Sequence, residues 1–236
     1  MPFYINIELS HFCIAFGVML LVGFVMSLQS ANLYSLHVVV RKFSMIDLEF
    51  PASSQELISF IKGIFLLPGD LSKKSLKALK SQLYLDFIYM PALYGSIFMF
   101  CMKVSQKMTS FGHPLFAILA WLQCIAWLCD IIENIYLLNK LRPQAGESKT
   151  IPYPAYLGLE ITKWGIALTA TVCSIAAMSY FWLVGRYSLQ SIDYILIIAA
   201  EIIVIFIARK LTTKTEKENL ENFNRPDTLK NSDFIN

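Results

Sequence analysis

The sequence predicts an all-α membrane protein: a bundle of about five transmembrane helices, with an amphipathic interfacial helix in the first cytoplasmic loop. Three observations carry that expectation. Apolar residues make up 56% of the 236 and charged residues only 16%, against about 25% charged in soluble domains. Five apolar runs reach or approach the roughly 20 residues a spanning helix needs. The basic residues, finally, gather on one side of those runs.

The first run covers 11–29. No basic residue precedes it in "MPFYINIELSHF", so it reads as a retained helix and not as a cleaved signal. Its helix is expected to continue through "SANLYSLHVVV". A basic loop, 40–83, follows. Within it Ser53 and Glu56 have capping-box spacing, and Pro68-Gly69 ends the pattern, which places a helix over 54–66. Leu57, Ile58, Ile61, Ile64 and Phe65 share one face of it. Too short to span, this helix is expected to lie along the membrane surface. Lys73, Lys74, Lys77 and Lys80 come just before the second run, where they either set topology or contact anionic lipids.

The second run, 84–103, contains Pro91, which predicts a kink. The third covers 114–139, the fourth 156–184 and the fifth 191–208. Together, residues 1–210 form a single bundle, and the polar stretch 211–236 reads as a disordered cytoplasmic tail. On the fourth run Gly165, Thr169, Cys173 and Ala177 form a small-residue ridge suited to close helix packing. Trp182 and Tyr187 suit an outer aromatic belt.

Counting Lys and Arg orients the chain. Loop 40–83 has seven, loop 140–155 three and the tail six; the opposite side has Lys103, Lys107 and Arg186. The positive-inside rule then puts the N-terminus outside and the C-terminus in the cytoplasm.

That orientation aligns the charges inside the apolar runs. In "WLCDIIENIYLL" the spacing of Asp130, Glu133 and Asn134 puts all three on one helix face. Asp86 opens the second span, Glu160 and Lys163 lie near the start of the fourth, and Glu201 stands about 7 residues, or roughly 10 Å, from the inner end of the fifth. These seven form the candidate intramembrane polar pocket. A lone charge in hydrocarbon costs roughly 3 kcal/mol on insertion scales, so such groups turn toward one another or toward water. Lys163 is the only cation within a span and is expected against the Asp130/Glu133 face. Tyr89, Tyr94 and Tyr136 either hydrogen-bond there or fill space.

The five cysteines all fall in apolar runs without a CxxC, and the three histidines are scattered, so neither disulfides nor a His-based metal centre is expected. The sequence holds no GxSxG, HExxH, P-loop or GxGxxG. Its basic residues sit at membrane boundaries, which speaks against nucleic-acid binding. No cofactor is expected; the partners are the lipid bilayer and a small cation or solute.

"LDFIYMPALYG", "WLCDIIENIYLL" and "ITKWGIAL" together resemble a group of small uncharacterised bacterial polytopic membrane proteins, over about 84–170. The resemblance implies a multi-pass protein of a bacterial inner membrane. No activity attaches to that group, so it implies no role for any site residue. The residues themselves favour binding or movement of a proton, cation or small solute, or an accessory part in it. A lipid-modifying membrane enzyme using a carboxylate, and an interaction protein with a structural polar clasp, are the other readings.

Overall fold

A computed structural model describes residues 8–36, 40–109, 111–141, 153–186 and 191–223. Helix α1 (Leu9–Ser30) opens the chain. It stops where a short antiparallel hairpin begins, β1 (Tyr34–Leu36) on β2 (Val40–Lys42), with Tyr34 opposite Lys42. The helix therefore does not continue through "SANLYSLHVVV". Polar side chains from a later helix hold the reversal instead. Gln82 donates to the Met26 carbonyl and to Ser30 Oγ, each at 2.7 Å, and the Ser75 hydroxyl donates to the Asn32 carbonyl at 2.9 Å. These bonds tie the last turn of α1 and the residues just after it to α4.

Two short helices follow. α2 (Met45–Glu49) starts in a capping box made by Ser44 and Asp47. α3 (Ser54–Phe65) starts at Ser53, whose hydroxyl accepts from the Glu56 amide at 3.1 Å. The amphipathic helix thus stands where its cap placed it, but much of its apolar stripe faces protein. Leu57, Ile61 and Ile64 are buried with Phe43, Phe60, Leu79 and Leu83, while Phe65 stays exposed. The hairpin lies against it: Ser35 Oγ donates to the Phe60 carbonyl at 3.1 Å.

The long helices are α4 (Gly69–Ser105), α5 (Gly112–Lys140), α6 (Tyr153–Leu183) and α7 (Ser191–Phe223). α4 takes in the lysine-rich stretch expected as loop and runs through Pro91 without a break. It occupies the centre, packing on α1, α5 and α6, while α7 lies on α1. α7 also continues past the apolar run into the segment expected as tail. Lys, Glu and Leu residues there carry helix propensity, and no Gly or Pro intervenes before Pro226. Residues 224–236 lie outside the described residues.

Among the described residues, α1, α4, α5 and α6 are long and apolar enough to cross a membrane. Their outward faces carry exposed Ile14, Leu21, Ile88, Ile118, Leu128, Leu168 and Val172. So much contiguous apolar surface belongs in lipid, where helices satisfy their own backbone. The chain is a multi-pass membrane protein.

The inward face of α6 is not the one its small residues predict. Gly165, Thr169 and Cys173 are exposed, whereas Glu160, Lys163, Ala167, Ala170 and Ser174 are buried. Both faces hold small residues, and the charged pair decides which turns in. Trp182 is exposed; Tyr187 lies outside the described residues.

Two apolar cores result. One, at the end carrying the hairpin and short helices, joins Leu33, Phe43, Leu48 and Ile64 to Leu83, Leu137 and Tyr156. The other, further along the bundle, joins Met90, Ile97 and Cys101 to Phe116, Ala120, Ala126, Ala167 and Ala170. On α4, α5 and α6 alike, the candidates Asp86, Asp130, Glu133, Asn134, Glu160 and Lys163 fall between them.

Candidate functional site

That intervening layer is built around Lys163. α6 turns the residue inward because its own neighbours Glu160 and Ala167 share the buried face. The ammonium Nζ lies 2.9 Å from Asp130 Oδ1, 2.9 Å from Glu160 Oε2 and 4.0 Å from Glu49 Oε2. It also contacts Glu133 Oε2 directly. Asp130 and Glu133 reach it from one face of α5, the consequence of their three-residue spacing. Glu160, three residues before Lys163 on its own helix, meets it as an ion pair without hydrogen-bond geometry.

Burial makes the arrangement demanding. Glu160 is 0% exposed, Glu133 2%, Lys163 4% and Asp130 7%. Ionised carboxylates in such a place need partners, and several are supplied. The Tyr94 hydroxyl donates to Asp130 Oδ2 at 2.9 Å. The Tyr156 hydroxyl lies 2.9 Å from the Leu48 carbonyl and 3.4 Å from Glu133 Oε1. Asn134 donates to Asp86 Oδ2 at 2.6 Å, which ties Asp86 on α4 to the edge of the cluster. The Tyr136 ring lies tilted against that of Tyr156, centroids 5.7 Å apart, and fills the adjoining core.

Glu49, the last residue of α2, did not figure among the sequence candidates. It approaches Lys163 from the loop and accepts from Trp164 Nε1 at 2.9 Å. Phe50 then sets its ring 6.5 Å from that of Trp164, and Tyr153 donates its hydroxyl to the Pro51 carbonyl at 2.8 Å. Ser44 and Asp47 in capping-box spacing, with Pro51 soon after, were the signal for a short helix ending at Glu49. Segment 48–51 is in effect a latch on the start of α6.

The Glu49 carboxyl is raised from an ordinary 4.5 to about 7. Burial is the main cause; Lys163 opposes it, and Glu160 and Asp130 add to it. A carboxyl that holds its proton more tightly folded than unfolded stabilises the fold at low pH. That stabilisation is lost as pH rises from the ordinary value through about 7.

Glu201 does not join the cluster. It sits on α7 against α1, where a Cβ added to Gly17 would lie 2.8 Å from Glu201 Oε1. Its Oε2 is buried without a hydrogen-bond partner. The sequence placed it at a suitable depth but could not show that α7 packs on α1 and not beside α5 and α6. Of the seven sequence candidates, Asp130, Glu133, Glu160 and Lys163 meet directly, Asp86 and Asn134 flank them, and Glu201 stands apart.

Four carboxylates around one ammonium leave a formal excess of three negative charges. In so enclosed a place, protons or a further cation must offset most of that excess. The point where the carboxylates converge is filled by Nζ. Among the described residues, no group of three or more His, Cys, Asp or Glu has the geometry to hold a metal ion.

Comparison with family models, curated proteins and solved structures finds no match for this chain. The class is therefore defined by its own fold and site: an integral membrane protein with four apolar helices of spanning length among its described residues and a buried ionic layer between two apolar cores.

Proposed function

We propose that this is a proton-binding membrane protein whose buried cluster serves proton, cation or small-solute movement, directly or as an accessory. The observation that carries the reading is the convergence of Glu49, Asp130, Glu133 and Glu160 on the single Nζ of Lys163. Carboxylates that share one cation while shielded from water exchange protons with small changes in geometry, because each ionised neighbour alters the cost of the next. The α2 latch supplies the change in geometry. Glu49 enters the cluster from a loop, so its movement alters the charge that Lys163 sees.

In this reading the apolar start of α7, 191–208, forms a fifth span beside α1. The latch end is cytoplasmic, as its excess of Lys and Arg favours. Bacterial inner membrane is the location the motif resemblance favours.

The test is proton flux in proteoliposomes. Purified protein is reconstituted around a trapped pH-sensitive dye, and a potassium diffusion potential is imposed with valinomycin. Wild type is expected to shift internal pH faster than empty liposomes, and Glu133→Gln and Glu160→Gln are expected to remove that excess. Wild-type flux equal to that of empty liposomes would remove the direct transport role. A structural clasp is the second reading. The complete enclosure of Glu160 favours it, since a group with 0% exposure is shielded from any passing solute.

A further inference from the structure

The lysines before the second apolar run belong to α4 itself, and that changes what they can do. Lys73, Lys77 and Lys80 lie along one side of a continuous helix and line a shallow, open groove whose lining residues all belong to α4. Tyr84, Leu85 and Ile88 line the same groove further along the helix. The spacing from Lys73 to Ile88 is about 22 Å at roughly 1.5 Å per residue. The charged end lies before the apolar run that starts at Tyr84, and the apolar end lies within that run. Tyr84 is 62% exposed and Ile88 54%, so no part of the protein covers the lower end. Among the described residues no carboxylate forms an ion pair with these three lysines, Asp70 in the same first turns included.

We propose that this groove binds one anionic phospholipid of the adjacent leaflet, its phosphate held by Lys73, Lys77 and Lys80 and its acyl chain laid along Leu85 and Ile88. Charge complementarity selects the headgroup. Three unpaired ammonium groups on neighbouring turns suit a phosphate diester bearing a net negative charge, whereas a zwitterionic headgroup brings its own cation. The apolar continuation selects a lipid over a free phosphate, because only an amphiphile contacts both halves. Phe43, Phe60 and Ile64 cluster with Leu79 and Leu83 on the other side of α4, so occupancy of the groove also braces the helix that carries Asp86.

The experiment is native mass spectrometry of the full chain in detergent, titrated with phosphatidylglycerol or with phosphatidylcholine. Wild type is expected to retain phosphatidylglycerol preferentially. Near an anionic surface each lysine is worth about fivefold in binding, so Lys73→Gln, Lys77→Gln and Lys80→Gln together should cost on the order of 100-fold. Lys77→Gln alone should cost about fivefold and gives a readout if the triple variant fails to fold. Lys74→Gln, one residue off the groove, is expected to change binding little. Excess inorganic phosphate should not displace the lipid. The proposal is overturned if the triple or Lys77→Gln variant keeps the wild-type preference. It is also overturned if Lys74→Gln costs as much as Lys77→Gln, which would indicate diffuse attraction, or if phosphate alone competes fully.

Discussion

Replacing Lys163 with methionine tests the ionic layer most directly. Methionine matches the stem in size, so the change removes a charge and little volume. It strands Asp130, Glu133 and Glu160, all less than a tenth exposed, together with Glu49. Truncating one partner of a buried pair costs about 3–5 kcal/mol, and here several partners are abandoned. Glu133→Gln alone costs less, about 1–3 kcal/mol, because Nζ keeps Asp130 and Glu160, each at 2.9 Å. Independent effects would make the double variant worse than either single change, by about 4–8 kcal/mol in all. Coupling reverses that order. With the ammonium gone, each carboxylate neutralised relieves repulsion, so Lys163→Met/Glu133→Gln should recover about 1–3 kcal/mol relative to Lys163→Met. Adding Glu160→Gln should recover more. The assay is equilibrium unfolding in mixed maltoside and dodecyl sulfate micelles at pH 7, followed by helical circular dichroism. Equal costs for Glu133→Gln and Glu160→Gln in the wild-type and Lys163→Met backgrounds would refute the shared-cation arrangement.

Two further outcomes follow from the loop end. Burial that raises Glu49 from 4.5 to about 7 corresponds to about 3 kcal/mol; wild-type stability should fall between those pH values, and Glu49→Gln should flatten that part of the profile, whereas an unchanged profile would show that Glu49 does not enter the cluster. Single cysteines at Lys62 and Lys107, in a background without native cysteines, should react with an impermeant maleimide from opposite sides of the membrane, with Lys62 cytoplasmic; both reacting from one side, or Lys62 reacting from outside, would refute the orientation.

What was legible in the sequence depended on how local its cause was. The apolar runs of α1, α4, α5 and α6 declared themselves because hydropathy over about 20 residues is a property of the segment alone. The cap at Ser53 and the shared face of Asp130, Glu133 and Asn134 were readable for the same reason. Lys163 was expected against the Asp130/Glu133 face, because a buried ammonium demands carboxylates, and its Nζ meets both residues. Features set by another element were hidden. The end of α1 depends on Gln82 and Ser75, more than forty residues away. The apolar stripe of α3 suits lipid or protein equally, and Leu79 and Leu83 on α4 decide for protein. Glu201 had the right depth and the wrong neighbour, because hydropathy does not say which helices touch.

Glu49 brings these strands together. The cluster's other carboxylates come from α5 and α6 and cannot leave without moving a long helix. Glu49 comes from a five-residue helix that Trp164, Tyr156 and Tyr153 fasten through hydrogen bonds to Glu49, Leu48 and Pro51. The two bonds that do not involve the carboxyl, of about 1 kcal/mol each, are comparable with the roughly 3 kcal/mol that ionising Glu49 costs the fold, a cost in which the Trp164 bond is already counted. The latch is thus held by a margin that one proton can cancel. Below about pH 7 the carboxyl is neutral, and the latch rests on hydrogen bonds and on Leu48 in the apolar core. Above it, either Lys163 draws the new charge in, at the expense of its hold on Asp130 and Glu160, or α2 lifts and the charge meets water. Each outcome changes the charge balance between the two cores.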